Sequence, residues 1–219
     1  MRRLVLFWRS TVGKKIVMAV TGLIMVGFLI GHAAGNLQVF LGPAKINGYS
    51  AFLHSLGEIL WLVRGVLFVA LILHIVAAVQ LTLIDRAARP VGYAKHETSA
   101  ATFASRTIRY GGVIIAVFLV LHLMQFTWGT WRPAPFAEGD VYANLVQAFR
   151  VKWVAAIYLV AMVAIGLHLY HGTWSSVRSL GVAPASPTPL AHRLSMLVAV
   201  VVWLGFTLVP VGILLGWAR

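Results

Sequence analysis

The sequence predicts an all-α integral membrane bundle of five transmembrane helices, and three observations predict it. Five apolar runs are each long enough to cross a bilayer, basic residues gather at their flanks, and few charges fall inside them. Hydrophobic residues make up 60% of the 219-residue chain and charged residues only 11%, a balance outside the usage of water-soluble domains. A formal charge of +13 would suit a nucleic-acid-binding protein if the basic side chains built a stripe on a soluble face. Here they border apolar runs, so they read as topology signals, and a nucleic-acid partner is not expected. The chain has no cysteine, which removes disulfides, thiolate metal sites and cysteine-ligated iron–sulfur clusters from consideration.

A spanning helix needs about 20 mostly apolar residues, because hydrocarbon offers its backbone no hydrogen-bond partners. The runs cover residues 16–41, 59–84, 110–131, 153–177 and 194–217. No long stretch remains for a soluble unit, so residues 1–219 read as a single transmembrane domain. The first run follows Arg2, Arg3, Arg9, Lys14 and Lys15 as a signal peptide would. Its apolar stretch far exceeds the roughly 7 to 15 residues of a signal core, which makes it a retained first helix.

The first loop then carries only Lys45, whereas the second carries Arg86, Arg89, Lys95, Arg106 and Arg109. Arg132, Arg150 and Lys152 in the third loop run partly against this alternation, and the fourth has Arg178 and Arg193. The net bias puts the N-terminus in the cytoplasm and the C-terminus outside. Gly42, Pro43, Pro133, Pro135, Pro184, Pro187 and Pro189 punctuate the loops. Trp128, Trp131, Trp153, Trp174 and Trp217 sit near run ends, where an aromatic belt belongs.

Eight histidines are present, and His32, His74, His122 and His168 fall one per helix inside the first four runs. An ionisable group at that depth is costly, so it faces the bundle interior and has a partner. At about 1.5 Å per residue, His32 lies roughly 24 Å and His122 about 18 Å from the cytoplasmic side. His74 and His168 lie roughly 22 Å from the outside, hence about 8 Å from the cytoplasm.

The four therefore sort into an outer pair, His32 with His122, and an inner pair, His74 with His168. Two bis-histidine haems stacked across a membrane would use this arrangement, held between the first four helices. Small residues beside the ligands allow a flat macrocycle close to the backbone: Gly27, Gly31 and Gly35 near His32, Ala70, Ala77 and Ala78 near His74, and Gly172 after His168. The same residues also serve helix packing. His171, three residues after His168 and on nearly the same face, is an alternative inner ligand. His54, His96 and His192 fall in loops or at a helix start and read as solvated or interfacial.

Several segments resemble one family in order and in register. They are Phe28 to Asn36 around His32, Tyr49 to Leu56 around His54, His74, Leu121-His122, and Leu167 to Trp174 followed by Ser179-Leu-Gly181. With these the chain resembles, over essentially its whole length, the cytochrome b membrane-anchor subunit of succinate dehydrogenase and fumarate reductase, in its single-chain, five-helix, di-haem form. The resemblance implies axial ligands from the first four helices, paired first with third and second with fourth. It also implies His168, four residues before Gly172, as the fourth ligand, with His171 beside it.

Two b haems would carry electrons between an iron–sulfur subunit and a membrane quinone, menaquinone above all. A flavoprotein subunit bearing FAD would act on succinate or fumarate, and the chain itself would have no chemistry on succinate. The implied setting is the bacterial cytoplasmic membrane, with a higher oligomer of the complex possible. Quinone candidates are Asn36, His54 and Glu58 at the outer level and Ser105, Arg109 and Trp174 at the inner level. His54 and Glu58, four apart, form a candidate proton-handling pair. Lys14, Arg109 and Arg178 also suit haem propionates.

Three alternatives keep the same residues in play. One is the membrane cytochrome of a hydrogenase or formate dehydrogenase, another is a haem-free transporter using histidines as a proton relay, and the last is a structural anchor without haem.

Overall fold

The computed structural model describes residues 2–88, 102–182 and 189–218. Arg89, Lys95, His96, Pro184 and Pro187 lie outside the described residues. Among the described residues all regular structure is helical, and five helices are long and apolar enough to cross a membrane. The architecture is that of a multi-pass membrane protein.

A short basic helix, α1 (Arg2–Arg9), leads into the first spanning helix, α2 (Thr11–Leu37), which starts five residues before the sequence run. Ser10 explains that start, because its hydroxyl accepts the Gly13 N–H at 2.9 Å and caps an exposed amide. The Lys14 ammonium turns back to the carbonyls of Trp8 and Arg9 at 2.7 and 3.2 Å, tying α1 to α2. A 3-10 turn (Gln38–Leu41) ends at Gly42, whose φ of 92° suits a residue without a side chain.

Two helices were not expected between the spans: α3 (Pro43–Ser55) and, later, α6 (Val141–Arg150). Their signals are short but physical. Pro43 opens α3 at a position needing no N–H, and Asp140 caps α6 by accepting the Ala143 N–H at 3.0 Å. The two helices join through Asn47, which donates to Asp140 at 2.9 Å and accepts the Tyr142 N–H at 3.0 Å. These donors hold the Asp140 carboxyl below its ordinary range, the Ala143 N–H first and the Asn47 amide second.

The remaining spans are α4 (Glu58–Ala87), α5 (Phe103–His122), α7 (Lys152–Ser179) and α8 (Pro189–Leu214). Helix α5 ends on a π turn, Leu123–Thr127, sealed by the Trp128 N–H to Leu123 O bond at 2.9 Å. Helices α2 and α7 pack on each other and form the spine. Helix α4 leans on α2, α5 leans on α7, and α8 fills the groove beside both.

The first four spans thus form a square with three packed sides, open between α4 and α5. Glycines allow the close approaches: a Cβ on Gly205 would lie 3.2 Å from that of Ala33, and one on Gly166 would lie 3.1 Å from the Trp203 ring. Beneath α3 and α6 a core of Val39, Ile46, Leu145, Phe149, Val154 and Ile213 closes one end of the bundle.

Candidate cofactor site

The open square places four histidines in two facing pairs. His32 on α2 faces His122 on α5 with ring centroids 5.9 Å apart, and His74 on α4 faces His168 on α7 at 6.2 Å. Both pairs span diagonals of the square, between helices whose backbones have little or no direct packing. Two imidazoles on one metal ion, each bound at about 2 Å, hold their ring centres about 6 Å apart. Both pairs have that spacing. Among the described residues no three acidic, cysteine or histidine side chains converge as a metal site. Two imidazoles alone give a bare ion too few ligands, whereas a macrocycle with four nitrogens of its own needs two.

Hydrogen bonding fixes which nitrogen two of the rings present. His74 Nδ1 lies 3.0 Å from the Met18 carbonyl, which can only accept, so Nδ1 carries the proton and Nε2 keeps its lone pair. Thr21 Oγ1, 3.3 Å from the same nitrogen, donates its own proton to Val17 O at 2.7 Å. At the other level Tyr158 donates to Gln125 Oε1 at 2.9 Å and lies 3.3 Å from His122 Nδ1. His32 stacks on Phe28 with centroids 5.2 Å apart, and Phe206 covers it at 5.6 Å.

The fourth ring is unlike the others, since His168 Nδ1 is buried without a hydrogen-bond partner. An unpaired buried nitrogen costs about 1–3 kcal/mol. The glycines divide by role. A Cβ on Gly27, Gly31 or Gly172 would meet open space, leaving room beside the rings, whereas one on Gly35 would strike the Tyr49 ring at 2.7 Å. Gly35 therefore seats α3 on α2 and does not border a cofactor space. Residue types, ring spacing and the tautomers of His74 and His122 thus fit two bis-histidine haems.

The levels are well separated along the spine. Tyr158 touches the His32–His122 pair, and His168 follows it by ten residues on α7, an axial distance of about 15 Å. His171 does not face His74. It lines a polar cavity of about 540 Å³ at the end of the bundle nearer His168, with Lys15, Ser105, Tyr170, Trp174, Arg178 and His192 among its walls. Tyr170 Oη and His192 Nε2 are 3.1 Å apart there, and the Arg178 guanidinium lies over the Trp174 ring at 5.8 Å.

Of the sequence candidates near this end, Ser105, Trp174 and Arg178 thus share a wall. Arg109 does not join them, because it pairs with Asp85 at 2.9 Å on the exposed surface. Lys14 is turned away to the carbonyls ending α1, and Lys15 takes its place. His192, Tyr170 and Lys15 were missed as site residues; His192 and Lys15 read as an interfacial residue and a flank charge.

At the opposite end the candidates stay apart. The Asn36 amide donates to His32 O at 2.8 Å, and His54 Nδ1 donates to Ser50 O at 2.8 Å. Between His54 and Glu58 the chain breaks at Gly57, with φ of 53°, so the two lie on different helices. The one-turn spacing of a continuous helix is lost, and no hydrogen bond or ion pair joins them among the described residues. No family model matches the chain, and no curated protein or solved structure matches it.

Proposed function

We propose that the chain is the di-haem cytochrome b membrane anchor of a succinate:quinone oxidoreductase, passing electrons between an iron–sulfur subunit and a membrane quinone. The observation that carries this reading is the pair of histidine pairs on the diagonals of one four-helix square, each at the spacing of two axial ligands. The ordered sequence segments that resemble this family support the partners: an FAD-bearing flavoprotein and an iron–sulfur protein docked at the cytoplasmic face. Basic residues support an N-terminus in the cytoplasm, which sets the His74–His168 level toward the docked subunits in a bacterial cytoplasmic membrane.

Bound b haems would supply reversible one-electron storage at each level. The chain does the rest. His32 with His122 and His74 with His168 would hold the two haems, and with two imidazoles on each iron neither would bind oxygen. Met18 O holds the His74 tautomer that offers Nε2 to a metal. Lys15 and Arg178 supply positive charge suited to propionates or to a reduced quinone. Quinone, menaquinone above all, occupies the polar cavity, where Ser105 and Trp174 flank it and Tyr170 and His192 share a proton at its wall.

Succinate added to the complex purified from native membranes tests the assignment. The account expects two co-purifying soluble subunits and haems that succinate reduces. Haems reduced by formate or hydrogen but not by succinate would move the chain to the other quinone-linked cytochromes.

A further inference from the structure

One buried polar contact lies apart from the polar cavity and meets one of the four facing histidines. Tyr158 lies near the start of α7 against Phe118, Phe126 and Phe149, with ring centroids 4.9 to 5.9 Å away. A phenol in such surroundings must pair its hydroxyl, and this one meets Gln125 Oε1 at 2.9 Å and His122 Nδ1 at 3.3 Å. The hydroxyl has one proton and spends it on the glutamine carbonyl. Its oxygen can then only accept from the imidazole, so Nδ1 of His122 bears hydrogen and Nε2 does not.

Gln125 reaches this point because α5 opens into its π turn directly after His122. Such turns insert an extra residue into a helix and are frequent at functional sites. In its place a regular turn would carry residue 125 on around the helix. Gln125 is also nearly fully buried, at 3% exposure, in a segment otherwise of apolar and interfacial side chains.

We infer that Tyr158 and Gln125 are positioning residues that hold His122 in its metal-ready tautomer and, through its Nδ1–H bond, set the reduction potential of the outer haem. The inference rests on the di-haem reading above. An acceptor on the far nitrogen raises the basicity of an axial imidazole and so favours the oxidised iron. At the inner level the nearest acceptor of His74 Nδ1 is the Met18 carbonyl at 3.0 Å, with the Thr21 hydroxyl at 3.3 Å. At the outer level the only acceptor of His122 Nδ1 among the described residues is the Tyr158 hydroxyl.

The test is a redox titration of the haems in the complex purified from membranes, comparing wild type with Tyr158→Phe and Gln125→Met. Tyr158→Phe keeps the ring in its aromatic cluster and removes only the acceptor. The expected result is two haems retained, with one redox step moved to higher potential. That step must be the one that disappears in His32→Ala. Gln125→Met is expected to move the same step in the same direction and by less. If Tyr158→Phe loses the outer haem, the Gln125→Met titration decides by the same criterion. A purely packing role predicts both steps unmoved, and that result would overturn the inference while leaving the di-haem reading intact. Absence of haem from the wild-type protein would overturn both.

Discussion

His168 and His171 are separated by three residues, and the choice between them is made by side-chain placement. The His168 ring faces His74, while His171 borders the polar cavity. Replacing His168 with alanine is therefore expected to lower bound haem from about two to about one per chain, whereas His171→Ala keeps both. Pyridine haemochrome quantification of the two variants checks this, and the reverse pattern would exchange their roles. The four facing histidines were legible in the sequence because an ionisable residue deep in an apolar run stands out by its cost. Tyr158 and Gln125 were not legible. A tyrosine among apolar residues reads as core, and the π turn that aims Gln125 has no periodic signature.

At the scale of elements, the spans were legible because length and hydropathy suffice for a bilayer. Helices α3 and α6 were hidden by their shortness and by the turn-forming residues at their starts. Their junction rests on Asp140, which caps α6 and accepts from Asn47 at once. Asp140→Ala is expected to cost about 1 kcal/mol, the usual worth of a capping side chain, read as a lowered thermal midpoint in detergent.

The same group gives a pH dependence. Its carboxyl titrates below its ordinary value of 3.8 in the folded protein. The stabilisation it brings is therefore present above that value and disappears as pH falls through the lower folded value. Relative to the intrinsic rate at each pH, the Ala143 amide should lose protection from exchange over that acid window in wild type and show no such loss in Asp140→Ala. Gly35 gives a second check on this end of the molecule. A methyl there meets the Tyr49 ring at 2.7 Å, so Gly35→Ala is expected to cost about 1–3 kcal/mol by overpacking and to loosen α3. Haem content should stay unchanged, since this glycine seats a helix and does not border the histidine pairs.

The whole molecule is a spine of α2 and α7 with α4 and α5 leaning on opposite members, so the diagonals of the square are left to side chains. That arrangement explains why helices with little or no direct packing nonetheless share histidine pairs, and why α5 and α4 bury few of their own residues. The pairing of first with third and second with fourth helix was legible from depth alone, since helices running the same way carry their histidines at matching levels. The cavity lined by His171, Tyr170 and His192 was not, because it gathers residues from four separate helices.

The proposed electron path makes a direct demand on this architecture: two cofactors, each held by two facing rings, at levels about 15 Å apart along the spine. The most direct measurement is a reduced-minus-oxidised absorption spectrum of the purified protein with haem quantified per chain. The account predicts b-type bands and about two haems. A protein that folds and spans the membrane without any Soret absorbance would contradict it.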